Sequence, residues 1–313
     1  MDLQNGIPSV HTFRRVFQSL DPKELEICLT KWAQSIFKNI DNEIISIDGK
    51  TIRQASKMNG ESNIHLVSAW ASENEITLGQ VKTEIKSNEI KAIPELLNII
   101  DYKNSIITID AMGCQKEIAN KIAEKGEYVL ALKENHPTLY NDVIRSFEKK
   151  NVADFCETLD YGHGRIKNRK CSIIKDLNCL LDKDSWRNLQ SIVKIESERI
   201  IKKTGEIQKD TRYYLSSLTN VQLISKAIRK HWGVENKLHW CLDIIFNEDY
   251  SSKRVGYSAQ NFAIINKIVL NVLHKDKQRT NVKGDPLFYA SLRVRRKLAG
   301  WDDDYMLSLL SLI

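Results

Sequence analysis

The sequence predicts an α/β fold with a mixed sheet, in which a three-strand meander precedes parallel strands, helices flank the sheet, and a β-rich module is inserted. Three patterns predict this fold. Apolar spacing typical of helices occurs near both ends of the chain, three alternating runs separated by turn-forming residues follow the first helices, and strands then alternate with helices. The chain of 313 residues is 42% hydrophobic, which is enough to bury a substantial core and excludes a disordered chain.

The core elements are predicted in the order βββαβαβα. Before them, Asp21-Pro22 opens a helix, because proline favours the first helical turn. The core strands are predicted at 43–48, 63–72, 77–85, 105–110 and 128–132. The core helices are predicted at 90–100, 115–125 and 137–149. Strand-like runs follow at 191–199 and 212–218, and helices resume at 221, 259–273 and 287–313.

These elements divide the chain into four parts. Residues 1–40 form a helical lead-in, 41–150 and 219–275 form the core, 151–218 form the β-rich insertion, and 276–313 form a C-terminal helical segment. No apolar run approaches the roughly 18 to 20 residues of a membrane span, and the N-terminus lacks a signal-peptide pattern. We therefore expect a cytoplasmic protein without a membrane partner.

The charge of the chain is moderately basic, with 47 Lys and Arg against 40 Asp and Glu and a formal net charge of +7. Two basic runs, at 163–175 and 293–297, concentrate this charge. Such runs are often only solvated surfaces, but two of them in one basic chain favour a polyanionic partner. The six cysteines contain no CxxC pair, so the sequence supports neither a disulfide framework nor a zinc motif.

Two predicted strands carry the same pattern, Ile-Ser-Ile-Asp ending at Asp48 and Ile-Thr-Ile-Asp ending at Asp110. Alternation along a strand places Ser46 on the face of Asp48 and Thr108 on the face of Asp110. If the strands are parallel neighbours, about 4.8 Å apart, both carboxylates lie near one edge of the sheet, where open α/β sheets place their sites. One such Asp is commonly a turn cap, whereas two matched ones indicate function.

A third acid is predicted in the helix that follows the insertion. Apolar positions of this helix recur at steps of three and four residues, and Glu235 lies within the stripe. A carboxylate that faces a core must be paired, protonated or metal-bound, so an ion pair is the alternative role. Asp243, Glu248 and Asp249 are rivals, but Asp243 is one position off the stripe and the other two lie beyond its end.

Three converging carboxylates indicate a site for divalent cations. At about 4 Å they would repel one another by roughly 4 kcal/mol per pair, and bound cations remove this repulsion. Oxygen ligands favour Mg²⁺ or Mn²⁺ over zinc. Two such ions can activate a water or a 3′-hydroxyl on one side of a phosphodiester and stabilise the leaving oxygen on the other. The pattern therefore predicts an enzyme that cuts and joins nucleic-acid backbones.

Polar residues near the acids and in the first basic run are candidates for contacts with DNA phosphates. They either follow a predicted Asp, end a core strand or lie in the insertion. They are Lys50, Arg53, Lys133, Asn135, His163, Arg165 and Arg169. A Gly-flanked turn that carries Arg165 suits close approach to a nucleic-acid backbone, although an ordinary exposed hairpin has the same pattern.

Seven sequence blocks resemble DDE transposases, specifically the ISAs-type bacterial insertion-sequence group that includes the H-repeat-associated proteins. They are NGIPSVHTFRRVF (5–17), IDGKTIR (47–53), TIDAMGCQKEIA (108–119), YVLALKENHPTLY (128–140), YGHGRIKNR (161–169), HWGVENKLHWCLDIIFNED (231–249) and NFAIINKIVLNVL (261–273). The resemblance implies an RNase H-like core and a catalytic, metal-binding triad of Asp48, Asp110 and Glu235. It also implies a two-ion Mg²⁺ or Mn²⁺ site, association with the nucleoid, and a homodimer on double-stranded DNA, both transposon ends and target.

The chain departs from this group at several places. Related hairpin-forming transposases have an Arg four residues before the Glu, where this chain has His231, which we predict contacts phosphate. The block usually written LKGNQ reads LKENH here. Relatives also have a helical segment ahead of NGIPS, so the lead-in is expected to be truncated. Two other functions fit the sequence: a non-catalytic DNA-binding remnant of a transposase, and a stand-alone metal-dependent DNA nuclease that does not need the element's ends.

Overall fold

A computed structural model of the chain describes residues 6–38, 40–53, 64–83, 89–149, 152, 154–162 and 164–313. The helices are α1 (Val10–Ser19), α2 (Pro22–Ile36), α3 (Glu89–Ile99), α4 (Lys116–Ile122), α5 (Pro137–Lys149), α6 (Val221–Gly233), α7 (Trp240–Phe246), α8 (Ser258–Arg279), α9 (Leu292–Leu298) and α10 (Asp303–Leu310). The strands are β1 (Ile44–Ile52), β2 (Ile64–Ala71), β3 (Ile76–Thr83), β4 (Ile106–Ile109), β5 (Glu127–Leu132), β6 (Asp154–Gly162), β7 (Arg165–Ile174), β8 (Ser191–Ile201) and β9 (Ile207–Ser216). A 3-10 turn (Ala111–Gly113) follows β4, and a π-helical segment (Val234–His239) follows α6. The protein is therefore a mixed α/β protein, and the predicted order βββαβαβα is confirmed.

The chain divides into two compact units. The terminal unit comprises Met1–Lys38, Gly49–Ile100 and Val234–Ile313, and the central unit comprises Asn39–Asp48 and Asp101–Gly233. Strand β1 contributes residues to both units. Among the described residues, no helix has both the length and the apolar character that crossing a bilayer requires.

The central unit contains a sheet with the strand order β1-β4-β5-β9-β8-β7-β6. Strands β1, β4 and β5 are parallel neighbours. The pairs β5–β9, β9–β8, β8–β7 and β7–β6 are antiparallel. The short strand β4 is fully buried and is apolar except for Thr108, as expected for a parallel strand covered on both faces. Helix α6 packs Ile224 and Ile228 into a cluster with Ile44, Ile106 and Val193. The prediction of parallel core strands is confirmed, and the segment predicted as a β-rich insertion forms strands β6 to β9 of the same sheet.

The terminal unit places β3 beside β2 and β2 beside β1. Strands β2 and β3 pair antiparallel, as the predicted meander requires. A core cluster joins the strands to the helices of the C-terminal region through Trp70, Leu242 and Leu270. At the N-terminus of α2, Asp21 Oδ1 accepts a hydrogen bond from the Lys23 N–H at 2.9 Å, and Pro22 occupies the first turn. The helix start predicted from Asp21-Pro22 is confirmed.

Several predicted element boundaries differ from the structure, and at two of them a polar side chain has a partner far along the chain. Strand β1 continues to Ile52, where the Thr51 side chain hydrogen-bonds His65 at 2.8 Å, so Asp48 lies inside the strand and not at its end. Helix α8 continues to Arg279, past the predicted end at 273, because the charged Asp276 is buried in an ion pair. The single predicted segment 287–313 forms two short helices, since the second helix has its own cap at Asp302.

Candidate active site

Asp48 and Asp110 lie at neighbouring positions of the central unit. The register of β1 and β4 pairs Ser46 with Thr108 and continues through the next pair of isoleucines, so the following positions are the two aspartates. Ser46 and Thr108 are buried, and Thr108 Oγ1 donates a hydrogen bond to Ser46 Oγ at 3.1 Å. Since side chains alternate along a strand, both aspartates extend from the face that this pair occupies. The two strands are parallel neighbours, which is the condition on which the predicted position of the two carboxylates depended.

The Asp110 side chain also shapes the backbone that follows it. Strand β4 ends one residue earlier, and Asp110 Oδ1 accepts hydrogen bonds from the backbone N–H groups of Met112 at 3.1 Å and Gly113 at 3.4 Å. Both bonds use Oδ1, so Oδ2 is the oxygen that can take a further ligand. The capping role considered for a strand-ending Asp therefore holds for Asp110, and it is compatible with a second role.

His231 lies in the last turn of α6, next to the strand that leads to Asp110. Its Nδ1 is 2.9 Å from Thr108 Oγ1. Burial lowers the pKa of His231, and the negative charge of Asp110 opposes this shift. Because Thr108 Oγ1 donates its proton to Ser46, His231 Nδ1 must donate to Thr108, and a phosphate contact through Nε2 would require the doubly protonated ring.

Glu235 lies on the π-helical segment and is exposed, whereas Val234 and Leu238 are buried. The prediction that Glu235 faces the core is therefore wrong. The later members of the predicted stripe, Leu238, Leu242 and Ile245, are buried, so the difference is local to Glu235 within the π-helical segment. Exposure makes the Glu235 carboxylate accessible to a ligand, and π-helical turns occur frequently at functional sites.

An ion pair with Glu75 holds the segment that carries Glu235. The Lys237 ammonium contacts Glu75 Oε1, and His274 Nδ1 lies 3.3 Å from Glu75 Oε2. The His274 ring in turn packs edge-on against the buried Trp70, with ring centroids 5.4 Å apart. Sequence reasoning missed this contact, because Glu75 and Lys237 are 162 residues apart and no local pattern connects them.

We expect Glu75→Gln to destabilise the terminal unit at neutral pH. We also expect the free energy of unfolding of the variant to fall less between neutral and acidic pH than that of the wild type. The hydrogen bond from His274, opposed by burial and assisted by Lys237, lowers the pKa of Glu75 from 4.5 to about 2. Because the folded pKa lies below the unfolded value, this stabilisation is present above about pH 4.5 and is lost as the pH falls toward 2. The shift corresponds to about 3 kcal/mol at most, reduced by solvent screening.

Urea unfolding of the wild type and of Glu75→Gln at pH 7 and pH 3 measures this effect. The exposed Glu95 on α3 provides the matched control, and Glu95→Gln should follow the wild type at both pH values. If the variant loses as much unfolding free energy as the wild type between the two pH values, Glu75 does not contribute to the acid response.

Lys50 is surrounded by carboxylates in the terminal unit. Its Nζ lies 2.7 Å from Asp243 Oδ1, 2.9 Å from Asp249 Oδ1 and 3.5 Å from Glu248 Oε2, and only 10% of its side chain is exposed. Burial disfavours the Lys50 ammonium, but the three carboxylates outweigh it and raise its pKa. The three rivals of Glu235 therefore share one cation. A phosphate contact by Lys50 would require it to leave these partners.

Three of the predicted phosphate contacts present exposed cations. Arg53 exposes 81% of its side chain, with its Nε 3.5 Å from Asp249 Oδ2. Lys133 and Arg165 are exposed as well. His163 lies outside the described residues.

Two further candidates for phosphate contact have partners within the central unit. Arg169 Nη1 lies 2.7 Å from Asp160 Oδ2, which Arg229 also contacts at 2.9 Å. Asn135 Nδ2 donates to the backbone carbonyl of Ala111 at 2.8 Å. The Asn135 amide therefore contacts the turn that follows Asp110.

The two aspartates fit the ligand chemistry of Mg²⁺ or Mn²⁺. Among the described residues, no group of three or more His, Cys, Asp or Glu side chains is arranged to hold a metal ion. Mg²⁺ in phosphoryl-transfer sites is usually held by one or two carboxylates, while waters and substrate phosphates complete its coordination. Asp48 and Asp110 supply two hard oxygen donors from one face of the sheet.

Comparison with known proteins gives one consistent family. The profile of the transposase DDE domain matches residues 39–272. The H repeat-associated protein YhhI of Escherichia coli strain K12 is 37% identical over 320 residues, which cover 99% of this chain and 82% of YhhI. YncI of Escherichia coli O157:H7 is 41% identical over 298 residues, which cover 90% of this chain and 74% of YncI.

Among solved structures, a piggyBac transposase synaptic complex with hairpin DNA matches with a TM-score of 0.49 and 12% identity. The match covers 89% of this chain and 56% of the piggyBac transposase chain. The family profile and the two bacterial relatives define the class of protein as a transposase. The chain belongs to the transposase DDE domain family, and its relatives include H repeat-associated proteins, as the seven sequence blocks predicted.

Proposed function

We propose that this protein is a DDE transposase that cuts DNA at the ends of its element and joins the freed 3′-hydroxyls to target DNA. The catalytic acids in this proposal are Asp48, Asp110 and Glu235, on an RNase H-like core. The observation that carries it is the register of β1 and β4, which continues into Asp48 and Asp110 at adjacent positions. Family membership supplies the reaction class, because the family is defined by its DDE domain.

Two Mg²⁺ or Mn²⁺ ions are the proposed cofactors. Such ions activate the attacking oxygen and stabilise the leaving oxygen of an in-line displacement at phosphorus. Asp48 and Asp110 would hold the ions from the sheet, with Asp110 using Oδ2 because Oδ1 caps the turn. The backbone bonds to Oδ1 would also orient the Asp110 carboxylate before any ligand arrives. Both side chains thus act by binding and orienting the ions.

Glu235 is proposed as the third acid on the basis of its position in the resembling block and its exposure. The Glu75–Lys237 ion pair would restrict the segment that carries it. Asp243, Glu248 and Asp249 are poorer candidates because Lys50 already pairs with all three.

Double-stranded DNA is the proposed partner, both as transposon end and as target, and a homodimer is the proposed assembly. The exposed side chains of Arg53, Lys133 and Arg165 are the best placed of the described candidates to contact phosphate. Phosphate contacts release counterions, so the affinity should fall steeply as salt rises. Lys50 and Arg169 are weaker candidates, since each is paired with carboxylates.

The proposal is tested by incubating the purified protein with Mn²⁺ and DNA that carries the inverted repeats flanking its gene. We expect nicking at the repeat ends that is abolished by a chelator, and binding that weakens with salt. Cleavage of DNA without the repeats to the same extent would identify a stand-alone nuclease instead. Salt-sensitive binding without cleavage would identify a non-catalytic DNA-binding remnant.

A further inference from the structure

The turn that follows Asp110 is held by two side chains from the segment after β5. Asn135 Nδ2 donates to the Ala111 carbonyl at 2.8 Å, and His136 Nε2 lies 2.5 Å from the Cys114 carbonyl. The two carbonyls flank the backbone N–H groups that bind the Asp110 carboxylate. All of these residues belong to the central unit.

We infer that Asn135 and His136 are positioning residues that hold the Asp110 carboxylate in the orientation needed to bind a metal ion. This inference rests on the proposed function. A single 3-10 turn has poor hydrogen-bond geometry and little stability of its own, so its shape depends on outside partners. The Asp110 carboxylate is bonded to the N–H groups of this turn, and any distortion of the turn therefore reaches the carboxylate.

The His136 ring is itself fixed by packing. It meets the buried Trp186 edge-on, with ring centroids 5.8 Å apart. A carbonyl oxygen only accepts hydrogen bonds, so His136 must carry a proton on Nε2 to donate to the Cys114 carbonyl. A glutamine at this position can present an amide N–H in place of Nε2, whereas an alanine cannot.

This role differs from the phosphate contact that the sequence predicts for Asn135. A residue that contacts a DNA phosphate contributes to DNA affinity and to the salt dependence of that affinity, and this contribution does not need a metal ion. A residue that orients a metal ligand acts on metal affinity, typically by 10-fold to 100-fold when it is removed. The two roles are therefore separable by experiment.

The experiment compares the full-length wild type with Asn135→Ala, His136→Ala and His136→Gln. The exposed Asn141 on α5 provides the control Asn141→Ala. Mn²⁺ binding is measured by calorimetry without DNA, and amide hydrogen exchange is followed at Met112 and Gly113. DNA affinity is measured with a chelator present.

We expect Asn135→Ala and His136→Ala to weaken Mn²⁺ binding by about 10-fold or more and to speed exchange at Met112 and Gly113. His136→Gln and Asn141→Ala should retain wild-type values, and DNA affinity without metal should stay within about twofold for every variant. A large loss of DNA affinity in Asn135→Ala, with a shallower salt dependence, would support the predicted phosphate contact of Asn135 and overturn its positioning role.

The remaining outcomes separate this inference from the proposed function. Unchanged exchange at Met112 and Gly113 in Asn135→Ala shows that the side chain does not hold the turn. Faster exchange with unchanged Mn²⁺ affinity limits both residues to a structural role and overturns the inference. A wild-type protein that binds no Mn²⁺ overturns the proposed metal site, and the positioning role with it, whatever the exchange data show.

Discussion

Asp48→Asn and Asp110→Asn are each expected to reduce Mn²⁺-dependent nicking of end-containing DNA by on the order of 10³-fold or more. Asparagine retains the size of aspartate but removes the negative charge and one anionic oxygen. Metal-bound oxygen ligands support several kcal/mol of transition-state stabilisation, and each 1.36 kcal/mol corresponds to a tenfold change in rate. The measurement is the single-turnover nicking rate at saturating Mn²⁺.

Asparagine is also the informative substitution for structure at Asp110. It is as good a capping residue as aspartate, so the bonds to the Met112 and Gly113 N–H groups can persist while the charge is lost. The exposed Asp184 provides the control Asp184→Asn, which should nick at the wild-type rate. Nicking by Asp48→Asn and Asp110→Asn at more than about a tenth of the wild-type rate would remove these residues from the active site.

Arg295→Met is expected to destabilise the terminal unit by about 3 to 5 kcal/mol. Arg295 and Asp276 are both fully buried, and the Arg295 guanidinium contacts Asp276 Oδ2 directly. The guanidinium also donates to the backbone carbonyls of Leu287 at 2.5 Å and Ala290 at 3.1 Å. Removing the Arg295 cation leaves the buried Asp276 carboxylate with the partly exposed Arg279, 2.7 Å away, as its remaining ion-pair partner, and two carbonyls lose their donor.

The exposed Arg293 lies on the same helix and provides the matched control. We expect Arg293→Met to change the free energy of unfolding by less than about 0.5 kcal/mol. Adding Asp276→Asn to Arg295→Met should recover part of the loss, because the buried charge that has lost one of its two arginine partners is then removed. Equal effects of Arg295→Met and Arg293→Met in denaturant unfolding would show that the buried pair does not stabilise this unit.

The candidate acids show how far sequence reasoning extends. The matched runs that end at Asp48 and Asp110 predicted two strands with each acid on the face of a hydroxyl residue, because alternation is a local property. That these strands are parallel neighbours was a condition of the argument, and the register shows it. The same reasoning was wrong for the burial of Glu235, which is exposed although later positions of its apolar stripe, Leu238 and Leu242, are buried. It also could not anticipate that Lys50 would meet Asp243, 193 residues later in the chain.

The sequence by itself determined the order of strands and helices and the family, because periodicity, capping residues and motif blocks act over short stretches of chain. The bounds of α5, opened by Pro137, were predicted to the residue for this reason. Only the tertiary structure decided the partners of the polar side chains, among them Lys50 with three carboxylates and Asn135 with the Asp110 turn. Such pairings depend on which distant segments meet in the fold, and the spacing of residues within a segment carries no information about that.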